Sequence, residues 1–181
     1  ATTVHTATIN DNDAAPTVSF TTANQNASES AGTMTITAQL STASSFPVTV
    51  PFTLGGTATQ GADYTITASP ITIPAGSTTG IVTITIINDT LDENNETVIV
   101  TMGTPTNATQ GATTVHTATI NDDDAAPTVS FTAASQSASE SAGTMTITAQ
   151  LSAVSGLPVT VPFTLSGTAT QGSDYTITAS P

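Results

Sequence analysis

The sequence predicts an all-β protein, built as a seven-stranded immunoglobulin-like β-sandwich in tandem repeats of about 111 residues. Three observations carry this prediction. Residues 1–70 align without a gap with residues 112–181, and 60 of these 70 positions are identical. Polar and apolar residues alternate with period two, as in half-exposed antiparallel sheets. Helical periodicity is absent, and turns containing Gly or Pro separate the alternating stretches, as they do in β-sandwiches.

The alternating stretches place the strands. In 33–40, 48–54 and 82–86, apolar residues point to one face and Thr lines the other. Thr and Val suit a pleated sheet because they are β-branched. Pro51 interrupts one stretch and indicates a sheet edge or a bulge, since it cannot donate a ladder hydrogen bond. The seven predicted strands are A near 17–22, B 33–40, C 48–54, D near 64–73, E 81–87, F 97–102 and G 113–120.

The repeat length divides the chain into three segments. Residues 1–13 correspond to the final strand of a preceding repeat, 14–124 to one complete repeat, and 125–181 to the N-terminal half of a following repeat. We expect the last segment not to close as a sandwich by itself, because it lacks the later strands. Either the continuing chain or segment 1–13 of another copy would complete it.

Composition excludes several classes of partner. The chain has no Lys and no Arg, 13 acids and a formal charge of −13. Nucleic-acid binding is excluded, because contacts to phosphate need cationic side chains. An anionic membrane surface is excluded for the same reason. No run of 18 apolar residues indicates insertion into a membrane. The absence of Cys fits an exported protein that is stabilised without disulfides, and we expect an extracellular or cell-surface location.

The acids of the complete repeat all fall in alternate connections. If successive strands reverse direction, the A–B, C–D and E–F connections lie at the same end of the sandwich as the end of strand G. All nine acids map to that end and none to the other. They are Glu29, Asp63, Asp89, Asp92, Glu93, Glu96, Asp122, Asp123 and Asp124.

This clustering predicts a cation site. Carboxylates a few ångströms apart repel by about 4 kcal/mol at an effective dielectric near 20. With no Lys or Arg to pair with, they need an inorganic cation. Many carboxylates and carbonyls on loops suit Ca²⁺ better than Mg²⁺, which demands strict octahedral geometry. The alternative is a solvated acidic rim that only improves solubility.

Four motifs resemble the Calx-beta domain, a family known from sodium–calcium exchangers, integrin β4 and bacterial surface proteins. The motifs span 28–33, 56–64, 87–96 and 121–124, and together they cover the whole repeat. The resemblance implies a seven-stranded immunoglobulin-like sandwich that binds calcium. Asn88 stands where the exchanger-type domain has an acid, which keeps one oxygen at that position, and Asp92 has no ligand role in this match. The implied ligands are Glu29, Asp63, Asp89, Glu93, Glu96, Asp122, Asp123 and Asp124, with the Leu91 carbonyl.

No catalytic constellation is present. His5 and His116 occupy equivalent positions of strand G, and we interpret both as structural strand residues. The sequence has no nucleophile elbow and no Gly-rich phosphate loop, so we expect no catalytic and no organic-cofactor site. The chain is therefore predicted not to be an enzyme.

The sequence predicts a structural role. We expect a calcium-binding tandem repeat of an extracellular fibre, matrix filament or adhesin stalk, stiffened by Ca²⁺ at one end of each sandwich. Its partners would be neighbouring repeats or other copies in a filament, and no receptor is indicated. The alternatives are a ligand-binding adhesin module, which would need an aromatic or basic patch, and a calcium-sensing regulatory domain, which would show diverged copies.

Overall fold

The regular secondary structure of the described residues is β-strand, apart from two short 3-10 turns. The structure is a computed structural model, and it describes residues 3–10 and 12–181. The chain forms two compact units. The first holds the described residues up to Asn88 together with Asn95–Asn121, and the second holds Asp89–Asn94 and Asp122–Pro181. The prediction of an all-β sandwich is confirmed by this architecture and by the comparisons reported below.

The first unit contains eleven strands, nine of them in two main sheets. A five-stranded sheet has the order β10-β1-β3-β8-β6, and a four-stranded sheet has the order β2-β11-β9-β5. The remaining two strands, β4 and β7, pair with each other. The strands are β1 Thr17–Phe20, β2 Asn24–Ser28, β3 Thr33–Leu40, β4 Val48–Val50, β5 Phe52–Gly56, β6 Tyr64–Ile66, β7 Ile71–Ile73, β8 Thr79–Ile86, β9 Glu96–Met102, β10 Thr109–Gln110 and β11 Val115–Asn121.

The period-two pattern produces the core. In β3 and β8, alternate residues are buried and the Thr residues between them face outward. The two strands pair antiparallel from Thr33↔Thr85 to Gln39↔Thr79, so their Thr side chains share one face. The inward side chains of both main sheets pack into a single core. Its fully buried members include Val18, Ile36, Ile73, Val82, Ile84, Val98 and Val100.

The seven predicted strand regions all contain strand, but two of them are divided. Region A contains β1 alone; β2, which lies in the predicted connection between A and B, was not predicted, and the chain changes sheets between β1 and β2, at residues 21–23. Region C breaks at Pro51, where β4 pairs with β7 and β5 becomes an edge strand beside β9. Region D splits into β6 and β7. The predicted effect of Pro51 is therefore observed, whereas the change of sheet in region A was not predicted.

His116 occupies a structural position in β11. Its side chain is buried, and Nδ1 lies 2.7 Å from the Thr22 carbonyl oxygen. The ring packs edge-on against Phe20, with centroids 6.2 Å apart. This arrangement joins β11 of one sheet to the chain segment that leaves β1 of the other.

The second unit is not a closed sandwich. It contains β12, Val129–Phe131, which pairs antiparallel with β13, Ala149–Leu151, and a 3-10 turn at Glu140–Ala142. The register of β12 with β13 copies that of β1 with β3. However, the copy of β3 is only three residues long, because residues 125–181 include no copy of its partner β8. Residues whose copies are core in the first unit stay exposed here, among them Phe131, Met145 and Ile147.

Residues 3–10 are exposed and form no regular secondary structure. They lie in the segment 1–13 that we interpret as the final strand of a preceding repeat, and that interpretation stays a prediction. Residues 1, 2 and 11 of this segment lie outside the described residues. In the part of the chain that is described, no helix is long and apolar enough to cross a membrane.

Replacement of Gly56 by Ala should destabilise the first unit. Gly56 has a φ of 111°, and a Cβ there would overlap the carbonyl group of Thr97 in β9. Neighbouring Gly55 has no atom within 4 Å of its Cβ position, so Gly55→Ala is the matched control. Chemical denaturation should show a loss of about 1–3 kcal/mol for Gly56→Ala and a much smaller change for Gly55→Ala. Equal effects would contradict the close approach of β5 to β9.

Candidate metal centre

The acid-bearing connections of the first unit begin and end at the same ends of its strands. In the four-stranded sheet, Ser28 at the end of β2 pairs with Asn121 at the end of β11, and Glu96 pairs with Ile120. In the five-stranded sheet, Tyr64 at the start of β6 pairs with Ile86 at the end of β8. The strand directions predicted from parity therefore place these connections together.

Glu29 is one of two buried polar residues of the described chain. It starts the 3-10 turn Glu29–Ala31, which follows β2 directly and ends at Gly32, a residue with a φ of 81°. The Gly32 carbonyl oxygen accepts a hydrogen bond of 2.8 Å from the Ile86 backbone N–H. The turn thus connects β2 of one sheet to β3 of the other. It holds Glu29 at the end of the sandwich where β8 and β11 also finish.

Asp63 lies in the turn that precedes β6. Its Oδ2 accepts a hydrogen bond from the Thr59 backbone N–H. Its backbone carbonyl oxygen accepts from the Ile87 N–H at 2.9 Å, which places Asp63 next to the segment that leads to Asn88. Burial, followed by the charge of Asp63, raises the pKa of the Tyr64 hydroxyl. The copy of this turn repeats the geometry, because the Thr170 N–H donates to Asp174 Oδ2 at 2.7 Å.

The second unit gathers the acids of two segments, 89–94 and 122–124. Asp89 and Asp124 each present a carboxylate oxygen, and these two oxygens lie within 4.8 Å of each other. Asp89 Oδ1 also accepts a hydrogen bond of 2.7 Å from the Leu91 backbone N–H, which fixes the start of the loop. Two carboxylates from segments that are distant in sequence therefore converge.

The convergence of these acids affects the pKa of Asp124. Desolvation raises its pKa, and the charges of nearby Asp122, Asp123, Asp89 and Asp92 raise it further, in that order. Its Oδ2 is buried and makes no hydrogen bond to any described residue. A buried acceptor without a donor, surrounded by like charges, is the environment that a bound cation would stabilise.

Asp92 makes contacts that the sequence did not indicate. Its Oδ2 accepts a hydrogen bond of 3.0 Å from Ser155 Oγ, and its backbone carbonyl accepts one of 3.0 Å from the Gly156 N–H. A Cβ at Gly156 would lie 2.8 Å from the Glu93 side chain. One sequence difference could have indicated this contact: Gly156 stands where the preceding copy has Ser45. Asp92 therefore binds the turn at 155–156 of the following repeat.

The structure distributes the ten predicted ligand residues over the two units. The first carries Glu29, Asp63, Asn88 and Glu96, and the second carries Asp89, Leu91, Glu93, Asp122, Asp123 and Asp124. Within the second unit, Asp89 and Asp124 are brought within 4.8 Å. The two groups of ligand residues are adjacent along the chain. Asp89 follows Asn88 directly, and Asp122 follows Asn121, which is the β-sheet partner of Ser28.

The donor set fits a hard divalent cation. Carboxylate, amide and carbonyl oxygens are the ligands of Ca²⁺, and the chain has no Cys, Lys or Arg. The buried Oδ2 of Asp124, which has no hydrogen bond, is the structural observation that supports this fit.

A protein-family model described as the Calx-beta domain matches residues 11–124 and again residues 122–180. The chain belongs to the Calx-beta domain family. The two matched segments agree with the tandem repeats in the sequence. No curated protein shows a significant match to the chain.

Crystal structures of Calx domains share the Calx-beta fold with this chain. CBD12 from CALX1.2 superposes with a TM-score of 0.55 at 22% identity, covering 64% of this chain and 48% of that one. The apo-form Calx CBD1 domain has a TM-score of 0.55 at 21% identity, covering 60% and 98%. The chain thus spans about half the length of the CBD12 structure. A CBD12 structure from CALX1.1 is titled a calcium binding domain.

The raised pKa of Asp124 predicts how stability depends on pH without metal. Since the native state holds this proton more tightly than the unfolded state, stability should fall as pH rises from the ordinary value of 3.8 through the raised native pKa. The Asp124→Asn variant should lose this part of the dependence. Urea denaturation between pH 3.5 and 7 in a chelator measures both proteins. Parallel profiles for the two would contradict the crowded, desolvated environment of Asp124.

Proposed function

We propose that this Calx-beta chain is a structural calcium-binding repeat of an extracellular fibre, matrix filament or adhesin stalk, stiffened by Ca²⁺ at one end of each sandwich. The observation that carries the proposal is the convergence of Asp89 and Asp124 in a chain without Lys or Arg. The chain has no Lys or Arg that could offset the charge of such carboxylates, and a metal ion would supply positive charge there.

Calcium suits this site for reasons of number and geometry. Carboxylates reach it from the loop 89–94 and from 122–124, and chain connection brings Glu29, Asp63 and Glu96 to the same end of the first unit. Ca²⁺ accepts six to eight oxygen ligands in irregular arrangements, whereas Mg²⁺ demands near-ideal octahedral geometry. The proposed ligands are those that the resemblance implies, with Asn88 contributing an amide oxygen in place of an acid.

The mechanical role follows from where the ligands are attached. Loop 89–94 belongs to one repeat, yet Asp92 binds Ser155 and Gly156 of the next. Residues 122–124 form the connection between the same two repeats. An ion held by both segments would fix the connection and the loop at once. In a near-identical array this would occur at every junction, which is the property expected of a stalk or filament and not of a diverged sensor.

Calcium binding should be measurable by titration calorimetry on the whole chain. We expect more than one Ca²⁺ per complete repeat, and an increase of the melting temperature with calcium, because a ligand that binds only the native state stabilises it by mass action. Glu93→Gln and Asp123→Asn should each weaken binding about tenfold or more, since each removes a charged ligand, a role that Asp92 does not have.

Asp92→Asn is the matched control for these variants. Because Asp92 Oδ2 accepts a hydrogen bond from Ser155, its loss should affect calcium affinity much less. Equal effects of all three substitutions would indicate a diffuse acidic rim. The absence of heat and of any thermal shift at millimolar Ca²⁺ would overturn the proposed function.

A further inference from the structure

Strand β2 has little apolar surface with which to fix its position on β11. It lies at the edge of the four-stranded sheet and pairs with β11 alone. The register sets Gln25 beside Ala118 and Ala27 beside Ile120, and both of these β11 residues are buried in the core. The inward face of β2 therefore consists of one polar and one small side chain, a pattern that specifies the register only weakly.

His116 presents a hydrogen-bond acceptor to the same core. Its side chain is 1% exposed, and its Nδ1 lies 2.7 Å from the Thr22 carbonyl oxygen. A carbonyl oxygen can only accept, so in the neutral ring Nδ1 carries the hydrogen and Nε2 offers a lone pair. That Nε2 is buried and accepts no hydrogen bond from any described residue. A buried acceptor of this kind destabilises a fold unless a donor reaches it.

Gln25 presents the matching donor. Its Nε2, which carries two hydrogens, is buried and donates to no described residue. Gln25 lies beside Ala118, and His116 precedes Ala118 by two residues on the same strand, so the three side chains face the same side of the sheet. Diagonal neighbours on one face of a sheet lie about 7–8 Å apart, a distance that long side chains span. A donor and an acceptor, neither with a described partner, are thus neighbours in the core.

We infer that Gln25 and His116 form one buried hydrogen-bonded link, in which Gln25 Nε2 donates and His116 Nε2 accepts, and that this link sets the register of β2 on β11. The two atoms make no direct hydrogen bond in the structure, so one internal water completes the link, as buried waters commonly do between polar groups. This inference goes beyond the proposed function and does not depend on calcium.

The link discriminates between registers that the apolar residues would tolerate. A slip of β2 by two residues toward the end of β11 would keep its inward and outward faces, but it would place Gln25 beside Ile120 and out of reach of His116. A slip by one residue would turn Gln25 outward. In either case the buried Nε2 of His116 would lose its donor, and this penalty favours the native register.

The sequence carries both members of the pair in its other copies. Positions 24 and 26, on the outward face of β2, differ from their copies at 135 and 137, which are both Ser. The inward Gln25 recurs as Gln136, and His116 recurs as His5. The differences within β2 thus fall on its outward face and leave the inward donor unchanged.

The register of β2 also determines where Glu29 lies. Glu29 follows Ser28 directly, and Ser28 pairs with Asn121 at the end of β11. A slip of two residues would displace the end of β2 by about 7 Å along the strand. A buried polar link in the core therefore positions the 3-10 turn that carries Glu29.

Imidazole ¹⁵N NMR on the whole chain tests the link. The chain has two His residues, so selective labelling gives two sets of ring signals, and exposed His5 serves as the internal reference. At about pH 8, where the imidazole of a model peptide is neutral, we expect the Nε2 resonance of His116 at the position of a hydrogen-bonded acceptor. Gln25→Met, which keeps the side-chain length and removes both donors, should move this resonance to the position of a free lone pair. Asn26→Ser is the matched control on the outward face and should leave it unchanged.

Disulfide trapping tests the register, because the chain has no Cys of its own. Asn26 and Thr119 are register partners, so the double variant Asn26→Cys, Thr119→Cys should oxidise about tenfold faster than the offset variant Asn24→Cys, Thr119→Cys. Adding Gln25→Met to both should reduce this ratio about fivefold or more, because the slipped register becomes accessible. Adding Thr22→Ala, which introduces the residue of the second copy and keeps the backbone carbonyl, should not change the ratio.

Either of two results overturns the inference. One is a wild-type His116 Nε2 resonance at the position of a free lone pair, and this measurement decides the matter even if Gln25→Met does not fold. The other is a trapping ratio that Gln25→Met leaves unchanged. Both experiments are carried out in a calcium chelator, so failure here is separate from failure of calcium binding.

Discussion

Repulsion between carboxylates that converge in a chain without Lys or Arg is the constraint on which the acidic end of this protein depends. The chain has 13 acids and neither Lys nor Arg, so no Lys or Arg ion pair can offset the charge where Asp89 and Asp124 approach within 4.8 Å. Desolvation, followed by the charges of nearby acids, raises the pKa of Asp124, and its buried Oδ2 accepts no hydrogen bond from any described residue. A calcium ion would remove both penalties.

The sheets bring the acids to one end through register and direction. Pairing of Ser28 with Asn121 and of Tyr64 with Ile86 fixes where the loops leave the core. These ladders are held by the apolar side of a period-two pattern, whereas the Thr side faces outward. The outward face is thus polar through hydroxyl groups, and the acids of the repeat lie in the connections and at the first residue of β9. A fold of this kind separates an apolar core from a charged end.

Much of the fold was predictable because half-exposed strands alternate buried apolar residues with exposed polar ones, and this alternation is visible in the sequence. The alternation in 33–40 predicted β3, and Pro51 predicted the break between β4 and β5. The change of sheet at residues 21–23 was not predicted, because these residues carry no Gly or Pro and the choice between sheets is made by β3 and β11. The end at which the acids lie followed from strand parity. The contact of Asp92 with Ser155 did not, since it depends on how a loop meets a turn 63 positions away.

Small-angle X-ray scattering on a protein of three tandem copies of 14–124, with and without a calcium chelator, tests the central claim most directly. If calcium neutralises the carboxylates and fixes each junction, the protein in calcium should be extended, with a maximum dimension close to three times that of one repeat. Removal of calcium should shorten the mean dimension and give the scattering profile of a flexible chain of domains. An unchanged maximum dimension and unchanged flexibility after chelation would contradict the account, because the carboxylate clusters would then have no mechanical consequence.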